Sequence, residues 1–151
     1  MLTSFRGLMA VTLATAGLSL ATPAMAQSED SGFTTSANVA LTTDYRFRGV
    51  SLSGGDPAIQ GGFDVAHDSG FYIGTWASSI KGGPSYGDVE LDLYAGWSGS
   101  LSDAVGIDVG VLYYMYPTED LGLDTDYIEP YASISANLGP AEATLGVAYA
   151  P

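Results

Sequence analysis

Two arginines, Arg46 and Arg48, stand two positions apart, and carboxylates recur at Asp44, Asp64, Glu90, Asp92, Asp108 and Glu129. Guanidinium groups facing carboxylates across a hydrated space set up a transverse field, which sorts small charged solutes without any covalent step. Read as β-strands, the segments holding these residues put them on one face together with Gln60 and Tyr131. Asp44, Arg46, Arg48, Asp64, Glu90, Asp92, Asp108, Glu129 and Tyr131 are therefore the candidate lining of a pore, with Arg46 and Arg48 facing Glu90, Asp92 or Glu129. The same charges could instead pair off and fill the interior of a small barrel, leaving no passage. The sequence leaves both readings open.

Other chemistry fares less well. His67 lies in His67-Asp68-Ser69-Gly70 beside a serine and an aspartate. Members of a catalytic triad converge from separate places in a fold, so neighbours in one tetrapeptide read as a turn. No nucleophile–base pairing is visible, and the expectation is a protein that is not an enzyme. Glu119, Asp120, Asp124 and Asp126 crowd one segment, but their spacing fits no calcium loop, and a solvated acidic loop is expected. Gly82-Gly83-Pro84 reads as a loop with no helix behind it, hence no phosphate cradle. Cysteine is absent and histidine occurs once, which excludes disulfides, thiolate metal sites and multi-histidine zinc sites. No cofactor and no metal site are expected. With 17 acidic residues against 4 basic ones, a net charge of −13, the chain cannot make the cationic footprint of a nucleic-acid binder.

The elements that would position these residues begin after an address. Residues 1–26 carry a basic start at Arg6, an apolar run from Leu8 to Leu20, a breaker at Pro23 and an Ala24-Met25-Ala26 end. That is the pattern of a cleaved bacterial signal peptide. Residues 27–151 then form one domain. Apolar and polar residues alternate over 36–49, 58–67, 89–98, 105–116, 127–138 and 143–149, and 71–80 is strand-like with ambiguous faces, although Tyr72, Trp76 and Ile80 share a side. About seven strands result, many near the length of 9–11 residues that crosses a bilayer when tilted. The connections at 51–57, 81–88 and 117–126 are long; those at 68–70, 99–104 and 139–142 are shorter. Short turns on one side and long loops on the other are the habit of outer-membrane barrels. Tyr45, Phe47, Tyr113, Tyr114, Tyr116 and Tyr127 would form a belt at the long-loop end, and Phe71, Tyr72 and Trp97 one at the short-turn end. A charge at Leu91 or Val109 should then damage insertion, and one at Gly96 or Ser133 should be tolerated.

The stretch from Ser36 to Ser51, with Thr42-Thr43-Asp44-Tyr45-Arg46-Phe47-Arg48-Gly49-Val50-Ser51 at its end, resembles the opening of the TorF family of proteobacterial outer-membrane proteins. The segments 56–64, 70–78, 90–97 and 127–131 continue the likeness. The resemblance implies a signal peptide, an outer-membrane barrel and a channel of unassigned substrate, and brings no catalytic residues. Members of that family look longer, so the chain reads as truncated at its carboxy end. The expected fold is all-β: an antiparallel up-and-down transmembrane β-barrel, about seven strands present of a larger even-stranded barrel. The expected location is the outer membrane. The expected partners are its lipid and lipopolysaccharide together with small polar solutes, and the alternative to truncation is a homo-oligomer that completes the sheet between copies. A plugged barrel serving structure or surface contact, a lipid-modifying barrel enzyme and a soluble periplasmic sandwich are the competing readings.

Overall fold

Period-two alternation builds the chain into antiparallel strands, because every second side chain meets the same environment. The computed structural model describes residues 20–27, 32–120 and 122–150, the first stretch as backbone only. Residues 1–19 of the expected leader, with Arg6, lie outside the described residues.

The strands are β1 (Leu20–Gln27), β2 (Phe33–Thr42), β3 (Arg46–Phe47), β4 (Val50–Ser51), β5 (Ala58–His67), β6 (Phe71–Ser79), β7 (Val89–Ser102), β8 (Val105–Met115), β9 (Tyr127–Asn137) and β10 (Glu142–Ala148). One antiparallel sheet runs β1-β2-β5-β6-β7-β8-β9-β10, and β3 and β4 form a small separate hairpin. The seven expected strands are thus all present, as β2 and β5 to β10. An eighth, β1, comes from the end of the expected leader and pairs with β2 from Leu20↔Leu41 to Gln27↔Thr34.

The expected closed barrel is corrected to an open sheet. Its edges are β1 and β10, and no pairing among the described residues joins them. The first expected strand is also shorter than the alternation suggested. β2 stops at Thr42, and residues 43–57 leave the sheet as a loop carrying the β3–β4 hairpin. Conversely β7 runs on to Ser102, so the expected 99–104 connection shrinks to a turn at Asp103 and Ala104. Short turns therefore alternate with long loops more sharply than the sequence suggested. A single helical turn, α1 (Gly83–Tyr86), follows Gly82, where no helix was expected; with four residues it offers no anion site.

Burial is inverted relative to a water-soluble domain. Among the described residues the buried set is mainly polar: Thr42, Ser53, Gln60, Ser78, Glu90, Asp92, Asp108, Glu129 and Ser135, against Tyr45, Ala58, Ile80, Tyr114 and Tyr116. Val39, Leu41, Ile59, Phe63, Phe71, Ile73, Leu93, Val109, Val111, Ile128, Ile134, Leu145 and Val147 are exposed, Val39 at 58% and Ile73 at 60%. The ambiguous strand resolves the same way. In β6, Tyr72, Gly74, Trp76 and Ser78 turn to the polar side, while Phe71 and Ile73 turn out.

Candidate functional site: the polar face and its inward loop

The polar face is floored by tyrosines lying on glycines. Tyr94 is directly opposite Gly74, Tyr72 opposite Gly96 and Tyr131 opposite Gly110. A Cβ at any of the three glycines would run into the partner ring, so only glycine lets the ring lie flat on the sheet. Each ring thereby spans a strand. Tyr94 crosses β6 to donate to Asp64 on β5. Tyr72 crosses β7 to donate to Asp108 on β8 at 2.8 Å and meets the Tyr131 hydroxyl of β9 at 2.5 Å. Such reach across two and three strands fits a sheet curved toward this side. The expectation that a charge would be tolerated at Gly96 is corrected accordingly, because the Tyr72 ring already occupies that space.

The loop 43–57 folds onto the same face. Its hairpin turns at Arg48 and Gly49, with φ of 47° and 88°. Both positions are left-handed, as a two-residue type I′ turn between twisted strands requires. Glycine takes this conformation freely; an arginine does not, and Arg48 is the single non-glycine with positive φ among the described residues. Its guanidinium donates to Glu129 Oε2 of β9 at 2.6 Å and lies over the Phe47 ring at 4.6 Å. Deeper in the loop, the buried Tyr45 hydroxyl donates to Glu90 Oε1 of β7 at 2.6 Å. Burial, and then the Glu90 carboxylate, hold that phenol far above the usual tyrosine range, so it remains a donor. Tyr45, Ala58, Ile80, Tyr114 and Tyr116 form the buried apolar cluster, with Phe47, Leu52 and Trp76 among those packed against it.

The loop is also braced from within. Asp44 accepts from Ser51 at 2.5 Å and Ser53 at 3.1 Å, and pairs with Arg46 Nε at 2.6 Å. The Ser51 hydroxyl is the chief cause that keeps the Asp44 carboxyl below its ordinary value; burial opposes it, and Ser53 and Arg46 add to it. Backbone bonds from Leu52 to Tyr45 and from Lys81 to Leu52, 2.7 Å each, tie the loop to itself and to the next loop.

The expected lining therefore divides. Asp64, Glu90, Asp92, Asp108, Glu129 and Tyr131 lie on the polar face of the sheet. Asp44, Arg46 and Arg48 do not; they belong to the loop. Arg46 and Arg48 do not share a strand face, because β2 has already ended. Arg46 closes on its neighbour Asp44, and Arg48 alone reaches a carboxylate across the site. The aromatic belts also change. Tyr45, Tyr114 and Tyr116 are buried inside, and Tyr72 lies on the polar face. At the short-turn end Phe71 pairs with Trp97, whose indole donates to Ser69 O at 2.9 Å, and the ring of exposed Phe33 lies tilted against His67, 4.6 Å between centroids. His67 ends β5 rather than sitting in the turn, and its ring meets the Ser69 hydroxyl of that turn at 2.7 Å. The inward role of Tyr45 escaped the sequence reading; its signal was the polar, serine- and glycine-rich stretch that follows it.

What the arrangement can do is bind and sort. It presents carboxylates, phenols and one arginine on a polar face partly covered by a loop. A recess of about 600 Å³ opens beside Arg48 along Tyr131, Ser133 and Gly146. Residues 26–151 match a family described as bacterial proteins of unknown function, Gcw_chp. The chain belongs to that family. No curated protein and no solved structure matches it. For this Gcw_chp member, then, the arrangement of the polar face and its loop carries the functional argument.

Proposed function

We propose that this protein is an outer-membrane β-barrel protein, exported through a cleaved leader, that lets small polar solutes diffuse passively and favours cations. The observation that carries this reading is the inverted polarity of the sheet: carboxylates and tyrosines inside, Val, Leu, Ile and Phe outside. Soluble monomers rarely expose so continuous an apolar surface, whereas lipid demands one. The alternation of short turns with long loops and the resemblance to the TorF family support it as well. Lipid and lipopolysaccharide are its surroundings, and the reading involves no catalytic step and no cofactor. The acidic excess raises the local concentration of cations over anions.

A second reading is a plugged barrel that serves structure or surface contact. The inward loop favours it, since Tyr45 and Arg48 both anchor loop 43–57 across the face that a solute would follow. Fractionating the cells of origin and reconstituting the outer-membrane material into a planar bilayer separates the readings. Discrete conductance with cation preference supports the diffusion pore. A membrane-inserted, heat-modifiable protein without conductance supports the plug. Recovery only in the soluble periplasmic fraction overturns both.

A further inference from the structure

Glu90 and Asp92 sit two residues apart on β7, side by side on the polar face, each 1% exposed. Every basic side chain among the described residues is engaged elsewhere: Arg46 with Asp44, Arg48 with Glu129, Lys81 with Asp56. His67 is the last residue of β5, at the short-turn end of the sheet. Glu90 is served by two phenols, Tyr45 at 2.6 Å and Tyr116 at 3.2 Å. Asp92 is not: its Oδ1 is a buried oxygen with no hydrogen-bond partner. A carboxylate so placed costs free energy unless a positive charge or a donor reaches it.

The surroundings suit a cation. Trp76 of β6 stands directly opposite Asp92, and Tyr114 of β8 stands opposite on the other side. Tyr45 closes over them from the loop, edge-on to Trp76 at 5.4 Å. Ring faces and phenol oxygens beside a carboxylate attract a small cation by quadrupole and charge together. Among the described residues no third histidine, cysteine or carboxylate joins the pair in a metal-binding cluster. The remaining donors are neutral phenols, which suits a single positive charge better than a divalent ion.

We propose that Asp92, with Glu90 and the Tyr45, Trp76 and Tyr114 rings, forms a binding site for a small monovalent cation beneath loop 43–57. The cation is an alkali ion or the ammonium group of a solute. The solute source rests on the diffusion reading; the site itself does not.

The test uses the full chain folded in detergent micelles, with Trp97→Phe so that fluorescence reports Trp76 alone. Potassium chloride or methylammonium chloride replaces N-methylglucamine chloride at fixed ionic strength. Saturable change with methylammonium alone assigns an ammonium site; saturation by potassium as well assigns an alkali site. Both support the proposal. Asp92→Asn should weaken binding about tenfold or more, while Asp103→Asn, in the turn between β7 and β8, should leave it unchanged. If Asp92→Asn does not fold, Tyr45→Phe removes only a loop hydroxyl, and weaker binding in that variant supports the site. No saturable response in a folded protein, or binding unaffected by Asp92→Asn and Tyr45→Phe, overturns the proposal. A protein that binds cations yet does not conduct keeps the site and removes the diffusion reading.

Discussion

Arg48 is the residue at which backbone and charge are hardest to separate. Its positive φ is unfavourable for any side chain with a Cβ, and its ion pair with Glu129 is what an arginine gains there. Arg48→Gly changes both at once, since it relaxes the turn and deletes the pair, whereas Glu129→Gln deletes the pair alone. Arg48 is half exposed, so the pair is worth only about 1 kcal/mol. The expected outcome is nevertheless a freer hairpin tip, read as faster proteolysis within 43–57, with the sheet intact. Glu129→Gln should do the same while leaving Arg48 strained. Asp44 adds a pH dependence with a definite sign. Its folded-state pKa is depressed below the ordinary 3.8, chiefly by Ser51. The stabilisation is therefore fully present above that value and is lost as pH falls through the lower, folded value. Protection of the Tyr45 and Leu52 amides, measured against their intrinsic exchange rates, should fall on acidification below about pH 4. The part of that loss of protection absent in Asp44→Asn is the part that belongs to this carboxyl.

At the scale of the element, the sheet depends on both of its faces at once. Gly96 gives its space to the Tyr72 ring, so Gly96→Val should cost about 1–3 kcal/mol by overpacking and detach Tyr72 from Asp108 and Tyr131. A lower midpoint in urea with unchanged slope would show it. On the other face, Val109→Lys puts a charge beside Trp97, Val111 and Ala132, which on the membrane reading costs about 2–4 kcal/mol at the midplane. Ser133→Lys points to the polar side and should fold into vesicles as the parent does. Vesicle-folding yields that are equal for the two lysines would remove the face assignment. Alternation made these faces legible: it found every strand from β2 to β10 apart from the small β3–β4 hairpin, and it put Glu90, Asp92, Asp108 and Glu129 on one side. It failed from Thr43 to Phe47, where the alternating pattern runs on but the chain leaves the sheet. A strand and an inward loop can share one pattern when the loop, too, has a side packed on rings and a side facing water. Tyr45 and Phe47 looked like lipid contacts because apolar character alone does not say which apolar surface it will meet. The tyrosine–glycine stacking was present in the sequence as separate residues, but it needs the register Tyr72↔Gly96 and Gly110↔Tyr131 before it can be seen.

At the scale of the whole molecule, polarity and edges make a joint demand. A sheet with carboxylates inside and branched aliphatics outside gains nothing from folding in water, because its largest apolar surface stays wet. In lipid that surface is satisfied, but the free backbone groups along β10 and at the far edge then each cost several kcal/mol. All seven residues of β10 are exposed, so this edge is accessible for pairing. If the membrane reading holds, the edges must find strands, whether from one chain closing on itself or from a second copy beside it. The expected behaviour follows. Diluted from urea into buffer, the protein aggregates; diluted into detergent or short-chain lipid vesicles, it gains β-sheet circular dichroism and a heat-modifiable band. A cysteine at Leu145 on β10, introduced into a chain that has none, then reports how the edge is met. Disulfide-linked dimers formed in vesicles place two β10 edges side by side. A cysteine that stays monomeric in vesicles means that the β10 edges of two copies do not meet there. Clean monomeric folding in buffer alone would contradict both, since the exposed aliphatic face would then need no lipid at all.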